Sequence, residues 1–222
     1  MMKGFLFDLD GVIVDTAKYH FLAWKRLADE LSIPFSENDN ERLKGVSRMR
    51  SLDIILELGN LNLSSEVKEK LAAKKNSWYV DYITKMTPDE ILPGALEFIQ
   101  DAKDKNIKIG LGSASKNAMT ILERLNITGY FDAIISGNEV SNAKPDPEVF
   151  LKGAEALGLE PEECVVFEDA AAGVEAAING KMKCVGIGTK KVLGQADIVV
   201  EGLKVICTND VLNALGIDFK YK

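Results

Sequence analysis

The chain has 222 residues, 46% of them hydrophobic and 27% charged, proportions of an ordinary globular protein without disordered or low-complexity tracts. A chain of that length buries roughly 70% of the surface its unfolded form would expose, so neither disulfides nor a structural metal are needed to hold it together. The formal net charge of −7 excludes a nucleic-acid surface, which needs a field of Lys and Arg along a phosphate backbone, but it leaves a small phosphorylated partner open.

The first residues run straight into a charged motif, so no signal peptide is expected, and no later stretch approaches a membrane span. Cys164, Cys184 and Cys207 are odd in number and lack paired metal-ligand spacing, which predicts neither a disulfide framework nor a zinc site. A reducing cytoplasm is the expected location. The acidic charge and the absence of an obvious apolar patch predict a monomer.

In chain order, short apolar runs at 5–9, 107–111, 133–135, 165–167 and 185–187 read as buried strands. Helical patterns at 95–102, 118–125, 148–157 and 170–178 alternate with them, which predicts an α/β fold, a Rossmann-like parallel sheet with right-handed crossovers. The stretch between the first and second strands contains no strand pattern and reads as an inserted all-helical cap. Its first helix carries Phe21, Trp24, Leu27, Ala28 and Leu31 at three-to-four spacing, and further helices are predicted at 50–58 and 66–83. The expected domains are a discontinuous α/β core, 1–14 with 89–222, and a helical cap, 15–88.

Ligands of open parallel sheets gather beyond the carboxyl ends of the strands. Those ends read Asp8-Leu9-Asp10-Gly11, Gly112-Ser113-Ala114-Ser115-Lys116-Asn117 and Glu168-Asp169, with Lys144-Pro145 following the third strand after a loop. Converging carboxylates repel one another and drift toward protonation unless a cation is present. Hard oxygen donors near phosphate select Mg²⁺ as the common case. Asp8 and Asp10 lie two apart, so in extended chain both point to one side. One can attack phosphorus while the other handles a proton, with Ser113 and the Lys144 ammonium as donors to phosphoryl oxygens.

Asp8-Leu9-Asp10-Gly11-Val12, Ser113, Lys144-Pro145 and Glu168-Asp169 resemble the four ordered motifs of the haloacid dehalogenase superfamily, and the helical insertion is similar to its small cap. The resemblance implies that Asp8 is phosphorylated, that Asp10 is general acid and base, and that Mg²⁺ is held by Asp8, the Asp10 carbonyl and Asp169, with Glu168 nearby. In the cap, Thr16, His20 and Trp24 recur every fourth residue and share a helical face. Leu43-Lys44-Gly45-Val46-Ser47-Arg48 follows, and Lys75 lies on the third cap helix.

Asp-Gly-Val-Ile-Val-Asp-Thr through His20 and Trp24, Lys-Gly-Val-Ser-Arg, and Ser-Ala-Ser-Lys-Asn resemble the β-phosphoglucomutase family. That resemblance implies interconversion of β-glucose 1-phosphate and glucose 6-phosphate, with β-glucose 1,6-bisphosphate as phosphoryl donor and intermediate. It implies that Arg48 binds the non-transferring phosphate with Gly45 and Val46 nearby, that Ala114, Ser115, Lys116 and Asn117 line the core side, and that Lys75 helps select the sugar. Thr16 and His20 are expected to hold Asp10 out of position until sugar binds.

Each cap residue also has a bland reading. His20 can simply cover its helix, Trp24 and Trp78 are core at that spacing, Arg48 can be a surface residue at a helix start, and Gly45 a turn. A lysine on a helix is usually solvated, and Lys74 stands beside Lys75. The rival functions are a sugar-phosphate phosphatase on the same scaffold and a non-catalytic sugar-phosphate sensor. Residues 202–222 carry no recognisable chemistry.

Overall fold

The computed structural model describes residues 2–43 and 46–217. One compact unit comprises the described residues up to Asp15 and from Thr87 onward, and the other comprises Thr16–Met86. In chain order, β1 (Gly4–Phe7) is followed by α1 (Ala17–Glu30), α2 (Glu37–Glu41), α3 (Arg48–Leu58) and α4 (Ser65–Ile83). Then come α5 (Ala95–Asp104), β2 (Lys108–Gly112), α6 (Ala118–Arg124), β3 (Ala133–Ile135), α7 (Glu148–Leu157) and β4 (Cys164–Glu168). The order closes with α8 (Ala171–Asn179), β5 (Lys183–Ile187), α9 (Lys190–Leu193), β6 (Ile198–Val200) and α10 (Thr208–Ala214). No helix among the described residues is long and apolar enough to cross a membrane.

The larger unit is built on a six-stranded sheet in the order β3-β2-β1-β4-β5-β6, every neighbouring pair parallel. All four residues of β1 and all five of β4 are buried, as continuous apolar runs covered on both faces should be. Phe5 and Phe7 face one side, where Phe7 stacks on Phe167 at 4.5 Å and Phe98 of α5 meets Phe167 at 5.2 Å. Leu6 faces the other and packs with Val149, Phe150, Val166 and Val174. Each such side chain contributes about 1.5–3 kcal/mol when fully buried, which fixes β1 and β4 side by side.

The chain passes from β1 outward to β2 and β3, then returns across β1 to β4. The carboxyl ends of β1 and β4 therefore flank the topological switch point, where ligands of such sheets bind. The sixth strand, β6, departs from the five expected. Its apolar run, Ile198–Val200, is as short as that of β3, and its parallel pairing with β5 makes it a strand. The short helices α2, α9 and α10 likewise lie outside the helices expected, the last within residues 202–222.

In the smaller unit, α1 buries Ala23, Trp24, Leu27 and Ala28, a three-to-four stripe that packs on α4. A reciprocal cap starts α2, with the Asp39 amide donating to Ser36 Oγ and the Ser36 amide donating to Asp39 Oδ2. The Ser47 hydroxyl accepts from the Arg50 amide at 3.3 Å, so this serine of the Lys-Gly-Val-Ser-Arg segment starts α3 and makes Arg48 its first residue.

Candidate active site

Asp8 follows β1 directly, its amide still donating to the Phe167 carbonyl of β4 at 2.9 Å. The strand thus ends one residue before the pair Asp8 and Asp10, and the chain turns at Gly11, so simple alternation along a strand does not set their directions. Leu9 is nonetheless fully buried, as expected of the residue between them. The Asp8 carboxylate accepts from Lys144 Nζ at 2.6 Å, and the same ammonium donates to Glu168 Oε1 at 2.7 Å. All three side chains are buried. The remaining Glu168 oxygen accepts from the Ala170 amide at 2.7 Å, just before α8. Burial pushes the Asp8 carboxyl up to about 7, Lys144 pulls it down, and Glu168 and Asp10 raise it further. Burial also favours loss of the Lys144 proton, but Asp8 and Glu168 outweigh it and hold the ammonium above the usual lysine range.

Oxygens of Asp8, Glu168 and Asp169 all lie within 4.8 Å of one another. Lys144 pairs with Asp8 and Glu168 of this cluster, and Asp10 is close enough to raise the Asp8 carboxyl. Carboxylate oxygens gathered this closely form an all-oxygen donor set that fits a hard divalent cation. Two glycines make room for the carboxylates. Gly11 has φ +74°, and a Cβ there would collide with Asp169 Oδ2, while a Cβ on Gly173 would collide with Glu168 Oε1. Gly11 therefore belongs to the site, although its sequence signal was only that of a motif glycine.

At the end of β2, Ser113 is buried and its amide donates to the Ile135 carbonyl at 3.0 Å. Its Oγ accepts from the Ser115 amide at 3.1 Å, and Ser115 Oγ accepts from the Asn117 amide at 3.2 Å. Two successive serine turns thus shape the loop and leave the Ser113 hydroxyl proton to be donated elsewhere. Ala114 and Lys116 are exposed, and Asn138 Nδ2 donates to the Lys116 carbonyl at 2.9 Å.

The smaller unit gathers a second polar group. Lys75, for which solvation was the default, is 1% exposed. Its Nζ lies 2.9 Å from His20 Nδ1, 4.5 Å from the Trp24 ring centroid and 4.7 Å from that of Tyr79. Lys74 instead pairs at the surface with Glu30 at 2.6 Å, so the two adjacent lysines are not interchangeable. Trp24 is buried as a core residue should be, and its ring also faces the ammonium. Burial, then Lys75 and Arg48, hold the His20 imidazole well below its ordinary value. Arg48 is half-buried, and burial holds its guanidinium below the usual arginine range. Thr16 is buried and its Oγ1 accepts from the Tyr79 hydroxyl at 3.3 Å. Val46 is half-buried; Gly45 lies outside the described residues.

Two supporting residues escaped the sequence reading. Tyr79 stands four residues after Lys75 on α4, a spacing that places both on one helical face. Asn179 Nδ2, at the end of α8, donates to the Pro145 carbonyl at 3.0 Å, next to Lys144, and no local pattern signals that contact.

Residues 2–181 match the family of haloacid dehalogenase-like hydrolases. The chain is 45% identical over 201 residues, covering 90% of this chain and 89% of the relative, to a β-phosphoglucomutase of Bacillus subtilis. It is 33% identical to a phosphorylated carbohydrates phosphatase of Thermotoga maritima, covering 96% of this chain and 98% of that one. The crystal structure of a β-phosphoglucomutase from Clostridium difficile superimposes with a TM-score of 0.93 at 43% identity, covering 97% of this chain and 98% of that one. The chain belongs to the haloacid dehalogenase-like hydrolase family, within its β-phosphoglucomutase group.

Proposed function

We propose that this chain interconverts β-glucose 1-phosphate and glucose 6-phosphate through a phosphorylated Asp8 and β-glucose 1,6-bisphosphate. The observation that carries this reading is the 45% identity with a β-phosphoglucomutase across nine-tenths of the chain, in a protein whose Asp8 is already paired with a buried ammonium. Phospho-Asp8 donates first: the free hydroxyl of β-glucose 1-phosphate attacks phosphorus as Asp10 takes its proton, and the Asp8–phosphorus bond breaks to leave the bisphosphate. After the bisphosphate turns over, a carboxylate oxygen of Asp8 attacks the other phosphoryl group, its bond to the sugar oxygen breaks, and Asp10 gives that oxygen the proton, which releases glucose 6-phosphate and restores phospho-Asp8. Lys144 opposes the effect of burial on the Asp8 carboxylate, and with the Ser113 hydroxyl it donates to the phosphoryl oxygens. Asp8, Asp10, Glu168 and Asp169 would hold Mg²⁺, which would neutralise charge on the transferring group. Gly45, Val46 and Arg48, with Lys75, His20 and Trp24, are read as binding the sugar and its second phosphate, and Ala114, Ser115, Lys116 and Asn117 as further substrate contacts. Thr16 and His20 are read as gating Asp10.

Product analysis tests the reaction. β-Glucose 1-phosphate incubated with Mg²⁺ and a trace of the bisphosphate is expected to yield glucose 6-phosphate, followed by coupled dehydrogenase assay. Free phosphate as the main product would favour instead a phosphatase, the activity in the name of the 33% identical Thermotoga relative.

The metal assignment has its own test. Gly11→Ala meets both a strained left-handed backbone, costing about 1–2 kcal/mol, and the Asp169 carboxylate. Because the added methyl displaces the Asp169 carboxylate, it is expected to weaken Mg²⁺ binding by about tenfold or more, as read by titration calorimetry. Unchanged affinity would remove Asp169 from the ligand set.

A further inference from the structure

We propose that Tyr79 is the positioning residue of the smaller unit's polar group, fixing Thr16, His20 and Lys75 together through one buried side chain. Tyr79 is fully buried and sits on α4, the helix that packs most closely on α1. Its ring lies 4.1 Å from the His20 ring at 36° and 4.7 Å from the Lys75 ammonium. Its hydroxyl donates to Thr16 Oγ1 at 3.3 Å. One rigid side chain with two rotatable bonds therefore contacts three of the polar residues on this surface of α1 and α4.

The consequence is a defined imidazole. A lysine ammonium only donates, so Lys75 at 2.9 Å obliges His20 Nδ1 to accept and places the ring proton on Nε2. The ammonium keeps that alignment because it lies close to both the Trp24 and Tyr79 ring centroids, at 4.5 and 4.7 Å, contacts that attract a cation while letting its N–H groups point elsewhere. Without the Tyr79 ring, both Lys75 and His20 lose a wall and the Nδ1 contact loses its geometry. His20 is faced by Lys75 and Tyr79 from α4 and influenced by Arg48 from α3, all of which leave a protonated ring without stabilisation. For catalysis the inference rests on the mutase reading, but its structural content does not.

The chain contains one histidine, so its imidazole resonances are assigned without ambiguity. In protein labelled with ¹⁵N-histidine, a single Nε2–H tautomer that does not titrate between about pH 6 and 8 is expected. Nuclear Overhauser contacts from its carbon-bound protons to the Tyr79 ring should accompany it. Tyr79→Phe keeps the ring and should keep this spectrum. Tyr79→Met fills the volume without a ring and should give mixed tautomers with titration near the ordinary value of about 6.5. It should also raise KM for β-glucose 1-phosphate about tenfold, because the cation loses its alignment, while hydrolysis of acetyl phosphate changes less than twofold.

An unchanged imidazole spectrum in Tyr79→Met, or equal loss of both activities, would overturn the proposal. Should that variant fail to fold, absence of the ring contacts in the unsubstituted protein would overturn it equally. If the unsubstituted protein releases phosphate rather than making glucose 6-phosphate, the mutase reading fails while the imidazole spectra still decide the role of Tyr79.

Discussion

Asp8→Asn is expected to abolish turnover of β-glucose 1-phosphate, with a loss on the order of 10⁴ to 10⁶ as for removal of other enzymic nucleophiles. The amide matches the carboxylate in shape but cannot carry the phosphoryl group, so mass spectrometry should find no phosphorylated protein. The fold should persist. Burial pushes the Asp8 carboxyl up to about 7, which means the folded protein disfavours the ionised form. An aspartate whose folded value is raised detracts from stability above its unfolded value, and that penalty is removed by the neutral amide. The melting temperature at neutral pH and without added metal should therefore hold or rise, while Lys144 keeps Glu168 as partner at 2.7 Å. Turnover close to that of the unsubstituted enzyme would eliminate a covalent mechanism. A collapse in melting temperature would instead show that Asp8 is needed for the fold.

Lys144→Met should damage stability and activity together. The ammonium lies between two buried carboxylates, at 2.6 Å from Asp8 and 2.7 Å from Glu168. Removing one partner of a buried ion pair leaves uncompensated charge and typically costs about 3–5 kcal/mol, and here two carboxylates lose the same partner. Urea unfolding monitored by circular dichroism should show a midpoint well below that of the parent. Turnover should fall on the order of 10²- to 10³-fold, because a fixed cation near the transferring group is also lost. Arginine is not expected to rescue either property, since its planar fork cannot replace a compact ammonium between two close carboxylates. An unfolding midpoint equal to the parent's would show that Lys144 is not the counterion that holds Asp8 and Glu168 together.

The two units were legible to different degrees. Strands β1 and β4 announced themselves because apolar runs buried on both faces must be continuous, and the polar residues after them fell at the switch point for reasons of topology alone. β6 is an apolar run of three residues, as short as β3, and its pairing with β5 is what makes it a strand. Lys144 was recognisable as a phosphoryl donor from its place after the third strand. Its tie to Asp8, 136 residues away, and to Glu168, 24 residues away, was not.

Lys75 shows the limit most clearly. On a helix, one lysine looks like the next, and the usual fate is solvent. Lys74 meets that expectation through Glu30, whereas Lys75 is buried against Trp24 and His20, the latter 55 residues earlier. By itself, the sequence determined the parallel sheet, the helical insertion and the set of residues able to do phosphoryl chemistry, because hydrophobic period and strand-end position are local properties. Only the tertiary structure decided which of those residues are paired, buried or charged. A side chain's electrostatic environment is the sum of burial and of contacts between segments distant in the chain, and local pattern carries no record of either.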